Sequence, residues 1–178
     1  LQRALNLLGE VDYEQVNRVK MEYLRLLFDE QGEETLASEG FKNFFRENRF
    51  WLQPYAAYSS LRDRFGTADF TRWGEFASYD ESMIADYCAV WSPWYRSVAL
   101  YYYIQYHLHL QLADVREYAH RAGVVLKGDI PIGISRHSVD AWVNPDLFRL
   151  NCQAGAPPDD FSVEGQNWGF PTYDWEVM

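Results

Sequence analysis

At 178 residues, with a formal net charge of −10 and 17% aromatic side chains, the chain is long enough for one domain with a real core. It has no basic run to release counterions, which excludes a phosphate-backbone partner and disfavours an anionic membrane, and no apolar stretch approaches the ~18 residues needed to span a bilayer. Cys88 and Cys152 form neither a metal-ligand spacing nor a disulfide framework, so a reducing cytoplasm is expected, a single bridge between them being the alternative.

Asp12 followed by Gln15 reads as a capping box, and Val16, Val19, Tyr23 and Leu27 keep helical spacing until Gly32 offers a stop. A second helix is expected over Glu39 to Asn48, with Phe41, Phe44 and Phe45 on one face. Pro54 suits the first turn of a third, which runs to Phe65 and ends at Gly66. Residues 67–94 mix aromatic and acidic side chains, with a helix near 80–91. The longest element is expected from Pro93 to Ala122. There Tyr101, Ile104, Leu108, Leu112, Val115, Ala119 and Ala122 form one apolar stripe, closed by Gly123.

Directly afterwards, VVLKGDIPIGI carries Val124, Val125, Ile130, Ile132 and Ile134. A long helix, a glycine and a β-branched run predict the helix-to-strand half of an α/β unit, placing Asp129 at a strand's C-terminal end. That edge is where ligands bind in α/β sheets and barrels. The expected fold class is therefore mainly α, with one or two short strands near residues 124–134 and a long irregular C-terminus.

The segment Gly155–Trp175, GAPPDDFSVEGQNWGFPTYDW, has neither helical nor strand periodicity and too much Gly and Pro for a regular element. A disordered tail would lack Phe161, Trp168, Phe170, Tyr173 and Trp175. Stiff backbone, carboxylates, amides and flat apolar rings together suit a sugar, whose ring faces are apolar and whose rim is hydroxyls. Trp168 is open to two readings, sugar contact or a plug that packs the loop down. Packing is the expectation for Tyr173 and Trp175.

Glycoside chemistry uses two carboxyls about 5 to 9 Å apart, and the candidates are Asp129, Asp140, Asp146, Asp159, Asp160, Glu164, Asp174 and Glu176. Which of them converge is not written in the sequence. Asp140 with Ser138 reads equally as the opening of a short helix, and a hydrogen-bonding role suits Asp129 and Asp140 better than catalysis. His107 and His109 stand two apart on a predicted helix and diverge by about 200°, so they do not share a metal. No phosphate loop or nucleophile elbow is present, and no metal or cofactor is expected.

The runs LKGDIPIGISRHSVDAWVNPDLFRLN and GAPPDDFSVEGQNWGFPTYDW resemble the 4-α-glucanotransferases, the amylomaltase or disproportionating-enzyme family. The order G-D-x-P-I, S-x-D-x-W, P-P-D-x-F-S and G-Q-x-W-G-x-P-x-Y-x-W carries the resemblance. Lys127–Gly133 and Asn167–Tyr173, with YYYIQYHLHLQL and PYAAYSSLRDRFGTADF, are closer to the branch typified by the plant cytosolic disproportionating enzyme, so the resemblance covers nearly the whole chain.

The resemblance implies part of a (β/α)8 barrel with helical insertions. Its members are retaining transglycosylases that pass a glucosyl unit between malto-oligosaccharides or glucans. In that family the nucleophile, the acid/base and a third carboxylate lie downstream of the Trp-Tyr loop, so no catalytic residue is expected in this chain. Its two ends also read as cut, as in an interior piece inactive alone.

By position, Gly155–Ser162 corresponds to a mobile loop over the donor sugar. The expected substrate-binding residues are Asp129, Asp140, Trp142, Pro157, Pro158, Asp159, Phe161, Ser162, Gln166 and Trp168. Two departures stand out: Asp160 where the family usually has tyrosine, and Arg136-His137 where bacterial amylomaltases have His-Asp. Residues 1–122 are expected to be a helical region and 123–178 a strand end plus substrate loop, in one compact unit. A homodimer through the exposed strand edge is possible on this reading. The competing reading is a stand-alone helical carbohydrate-binding or protein-interaction domain.

Overall fold

The computed structural model describes residues 5–7, 9–129 and 131–178. Helix α1 (Tyr13–Ala37) begins where Asp12 accepts the Gln15 N–H at 2.9 Å. Only half of the capping box forms, because the Gln15 side chain accepts from Arg18 instead. Gly32 does not end the helix. It is buried beneath the Phe28 ring, and a Cβ there would stand 2.5 Å from Phe28 Cδ2. The glycine permits close approach rather than a turn. Ser38 ends α1 and starts α2 with one hydroxyl, which donates to the Thr35 carbonyl and accepts from the Phe41 N–H.

The two helices expected over residues 39–65 are one. Helix α2 (Glu39–Phe65) carries Pro54 in its interior, not its first turn, and ends at Gly66 with φ 65°. An interior proline costs ~3 kcal/mol or more. The helix continues because Leu52, Ala56, Ala57 and Leu61 are fully buried around it, and each leucine contributes roughly 1.5–3 kcal/mol. Two 3₁₀ turns, Phe70–Arg72 and Gly74–Ala77, flank Trp73. Helix α3 (Glu81–Tyr87) follows, its first turn capped by Asp80, which accepts the Met83 N–H at 2.8 Å.

Helix α4 (Tyr95–Arg121) packs its first two turns against α1 and α2, burying Val98 through Tyr103. The expected stripe holds at Tyr101 and Ala119, but Leu108, Leu112 and Val115 remain exposed. The predicted strand does not form. Residues 124–129 and 131–134 are irregular and Ile130 lies outside the described residues; a strand needs a neighbour to take its N–H and C=O groups, and neither ladder among the described residues includes this run.

Short ladders appear instead in the part expected to be irregular. After helix α5 (Val139–Val143), β1 (Phe148–Arg149) pairs antiparallel with β4 (Thr172–Tyr173), and β2 (Gly155–Ala156) with β3 (Gln166–Asn167). The architecture is mainly helical with a few two-residue strands. Among the described residues, no helix is long and apolar enough to cross a membrane.

The C-terminal third is joined to the helices by aromatic side chains. Tyr58, Trp73 and Trp142 meet ring to ring at centroid distances of 5.1–5.8 Å. Their polar handles are all satisfied: Trp142 Nε1 donates to the Phe76 carbonyl at 2.9 Å, Trp73 Nε1 to that of Thr67 at 3.0 Å, and the Tyr58 hydroxyl to the His137 carbonyl.

Replacing Gly32 by Ala is expected to destabilise the chain by about 1 kcal/mol. The helix-propensity gain of about 1 kcal/mol is outweighed by overpacking worth about 1–3 kcal/mol, since the Phe28 ring is held edge-on to Tyr103. A urea titration showing a higher midpoint for G32A would refute this. A second expectation concerns His107, whose Nε2 is buried without a partner and whose pKa is lowered by burial from the usual 6.5. As pH falls below that value, the unfolded chain takes up a proton that the fold still refuses, so stability declines with acidity. H107L should flatten that decline below about pH 6.5; an unchanged slope in the urea midpoints would assign it to other groups.

Candidate functional site

The segment 155–175 forms a structured hairpin whose parts are locally determined. At its root β2 and β3 lie so close that a Cβ on Gly155 would stand 2.1 Å from the Gln166 carbonyl oxygen, so only glycine fits. At its tip, Asp159 Oδ1 accepts the N–H groups of Phe161 (2.9 Å) and Ser162 (2.7 Å), while the Asp159 N–H donates to the Ser162 carbonyl. The Ser162 hydroxyl donates to the Gly165 carbonyl at 2.6 Å. This self-bracing turn presents Phe161 to solvent, 95% exposed.

Trp168 leaves the hairpin with its N–H donating to the Ala154 carbonyl and its indole N–H donating to Gln166 Oε1 at 3.1 Å. The ring leans on Phe170 at 5.9 Å between centroids and stays 45% exposed. It therefore has a supported position and an open surface. Trp175 is 75% exposed, which corrects the expectation that it packs; its ring touches only the edge of the body, through Tyr173. Tyr173 does pack, its ring 5.5 Å from Phe148 and its hydroxyl donating to the Pro131 carbonyl.

These tethers hold the hairpin beside the segment that follows α4. Phe170 covers Gly133 and donates no room for a side chain there, a Cβ falling 2.2 Å from its ring. Arg136 donates to the Cys152 carbonyl at 3.1 Å, and Arg149 Nε to Asp174 Oδ2 at 3.3 Å. His137 Nε2 stands 3.6 Å from Asp69 Oδ1.

Of the expected substrate residues, Pro157, Pro158, Asp159, Phe161, Ser162, Gln166 and Trp168 therefore come together on one hairpin. Asp159 Oδ1 and the Ser162 hydroxyl brace the tip, and the exposed residues of the set are Pro157, Pro158, Asp159, Phe161, Gln166 and Trp168. Asp129 lies in the exposed run two residues before Pro131, to which Tyr173 is bonded. Asp140 is exposed in the first turn of α5, which Ser138 caps by accepting the Ala141 N–H. Trp142 is the exception. At 2% exposure, with its donor taken, it belongs to the aromatic core and has no face to offer a sugar.

A glycosidic acid needs a raised pKa, whereas Asp174 is held below the usual carboxylate range, chiefly by the hydrogen bond from Arg149. Among the described residues, no group of three or more His, Cys, Asp or Glu side chains gathers as metal ligands. Clefts of about 200–590 Å³ lie among residues of the helical part. The residues that tether the hairpin, Gln153 (bonded to Asn167), Arg149 and Arg136, went unsuspected in the sequence, because pairings across 14 to 25 positions leave no local pattern.

The profile of a family described as 4-alpha-glucanotransferase matches residues 1–178. The chain is 46% identical over 169 residues to the 4-alpha-glucanotransferase DPE2 of Oryza sativa subsp. japonica, covering 95% of this chain and 18% of that protein. It is 31% identical over 177 residues to the 4-alpha-glucanotransferase of Chlamydia muridarum, covering 99% of this chain and 33% of that one. An amylomaltase from Streptococcus agalactiae, solved in complex with acarbose, superposes with a TM-score of 0.79 at 29% identity, over 93% of this chain and 34% of its own. The chain thus spans a third or less of the length of these relatives.

Asp159→Ala removes both acceptor bonds at the tip, each worth about 1 kcal/mol. Amide exchange at Phe161 and Ser162 should accelerate about tenfold or more while exchange in α2 and α4 is unchanged. Protection preserved at the tip would show that the prolines alone hold it.

Proposed function

Because the chain belongs to the 4-alpha-glucanotransferase family, we propose that it forms the substrate-groove portion of an enzyme that transfers α-1,4-glucosyl units between malto-oligosaccharides and glucans. In this reading the parent protein is a (β/α)8 barrel of the cytoplasm, uses a retaining mechanism, and supplies its catalytic carboxylates from outside this chain. Residues 155–168 serve as lid and wall for the donor sugar, and Asp129 and Asp140 border the groove. The irregular run after α4 acquires its strand partners in the parent.

One observation supports this most directly. Trp168 is held by hydrogen bonds at its backbone and its indole nitrogen, yet leaves nearly half its surface open beside Gln166. A braced indole with an adjacent amide can stack on a pyranose face and bond its hydroxyls without paying for loop ordering at the moment of binding. The 46% identity to a plant 4-alpha-glucanotransferase supports the plant-type branch. The departure at Asp160 places a carboxylate where that family usually carries tyrosine, which favours hydrogen bonding to sugar hydroxyls over stacking there.

The test is transfer on maltotriose by the full-length parent, followed as a ladder of longer oligosaccharides. Trp168→Ala should raise KM about fivefold, the equivalent of ~1 kcal/mol of stacking, with a smaller change in kcat. Unchanged kcat and KM would return Trp168 to a packing role. The isolated 178-residue chain should not turn over maltotriose; a rate near the parent's would sink the assignment of the catalytic carboxylates elsewhere.

A further inference from the structure

Helix α2 forms a groove with α3, the turn that follows it and the start of α4. Its first half, about 460 Å³, runs past Phe41, Phe45, Cys88 and Tyr102 to Trp91. The second half, about 420 Å³, runs past Pro54, Tyr79 and Ile84 to Phe50. The two halves share Arg49, Gln53 and Ala85, so they abut. Each falls within the ~300–1,000 Å³ of small-molecule clefts.

The chemistry along this groove alternates. Trp91 is 84% and Phe50 80% exposed, one in each half. Trp91 is not on a loose tail, for Ser92 N–H donates to the Ala89 carbonyl at 2.8 Å and Tyr95 N–H to that of Ser92 at 3.0 Å. Between the rings lies a polar midpoint, Arg49 Nε donating to Gln53 Oε1 at 2.8 Å, with Arg46 and Glu81 in one half and Asp86 in the other.

We propose that this groove is a second carbohydrate site, which holds a stretch of α-glucan chain away from the hairpin at 155–168. The inference rests on the glucanotransferase reading for the identity of the sugar. A purely apolar occupant would strip water from Arg49, Gln53 and Asp86 without replacing their hydrogen bonds. A polyanion would meet Glu81, Asp86 and a chain of net charge −10. An oligosaccharide satisfies both parts, its ring faces on Trp91 and Phe50 and its hydroxyls on the Arg49–Gln53 pair and Asp86.

The experiment uses the full-length parent with two probes, glycogen in affinity electrophoresis and maltotriose in transfer assays. W91A and F50A together should weaken glycogen retardation about fivefold or more, W91Y should keep most of it, and kcat and KM for maltotriose should stay within about twofold. Trp168→Ala gives the converse, a shifted maltotriose KM with glycogen retardation kept. Unchanged retardation in the double variant overturns the proposal, whether the groove is idle or covered by the rest of the parent. Loss of maltotriose transfer in parallel with glycogen binding overturns it too, since the residues would then act at the reaction site or in folding. Retardation that depends on Trp91 and Phe50 in a parent unable to transfer maltotriose would uphold the groove and remove the enzymatic reading instead.

Discussion

The aromatic joint of Tyr58, Trp73 and Trp142 is the contact on which the placement of the hairpin depends. It joins three segments distant in sequence: the middle of α2, the 3₁₀ turns after it, and α5. Ring burial supplies most of the energy, but direction comes from the three donors, each of which finds a backbone carbonyl. An indole buried without its acceptor would cost ~1–3 kcal/mol, so each ring is specified in orientation as well as position. From α5 the chain runs directly into β1, and β1 holds β4. The hairpin thus inherits its place from residues that do not touch it.

Below that joint the three long helices share a more ordinary core, in which polar groups are again paired. Ser60 bridges the Tyr87 hydroxyl and the Ser97 hydroxyl at 2.9 and 2.7 Å, and Tyr101 donates to Asp63. Burial alone pushes the Cys88 thiol up to about 11, which leaves it an inert packing group rather than a nucleophile. The chemistry of the molecule is consequently at its surface, in the hairpin and in exposed aromatic rings.

Features governed by a few neighbouring residues were legible in the sequence. The cap at Asp12, the stop at Gly66 and the opening of α5 at Ser138 all follow from local hydrogen bonding. Gly32 and Pro54 misled for the opposite reason, because both are usual helix breakers and both are overruled by packing, one under Phe28 and the other among Leu52, Ala56 and Leu61. The run at 124–134 has strand composition, but pairing is a property of two segments, and neither ladder among the described residues includes this run. Trp142 and Trp168 look alike in sequence, each flanked by small or polar residues. What separates them is a carbonyl 66 positions away, which no local pattern encodes. Residues 155–175 stood out by composition as an ordered but irregular segment, and the ladders β2–β3 and β1–β4 within and beside it were not foreseen.

That α2 is one helix and not two also bears on how far the molecule can transmit a displacement. Its 27 residues make a rod about 40 Å long at 1.5 Å per residue, with Arg49 and Gln53 near its centre and Tyr58 one to two turns further on. A break at Pro54 would have given two short segments free to pivot; the unbroken rod instead fixes the spacing between its outer face and the base of the hairpin. Such a strut behaves as a ruler. Whatever lies along one side of it is held at a set distance and angle from what hangs on the other, so molecules of differing length would be sorted by whether they reach.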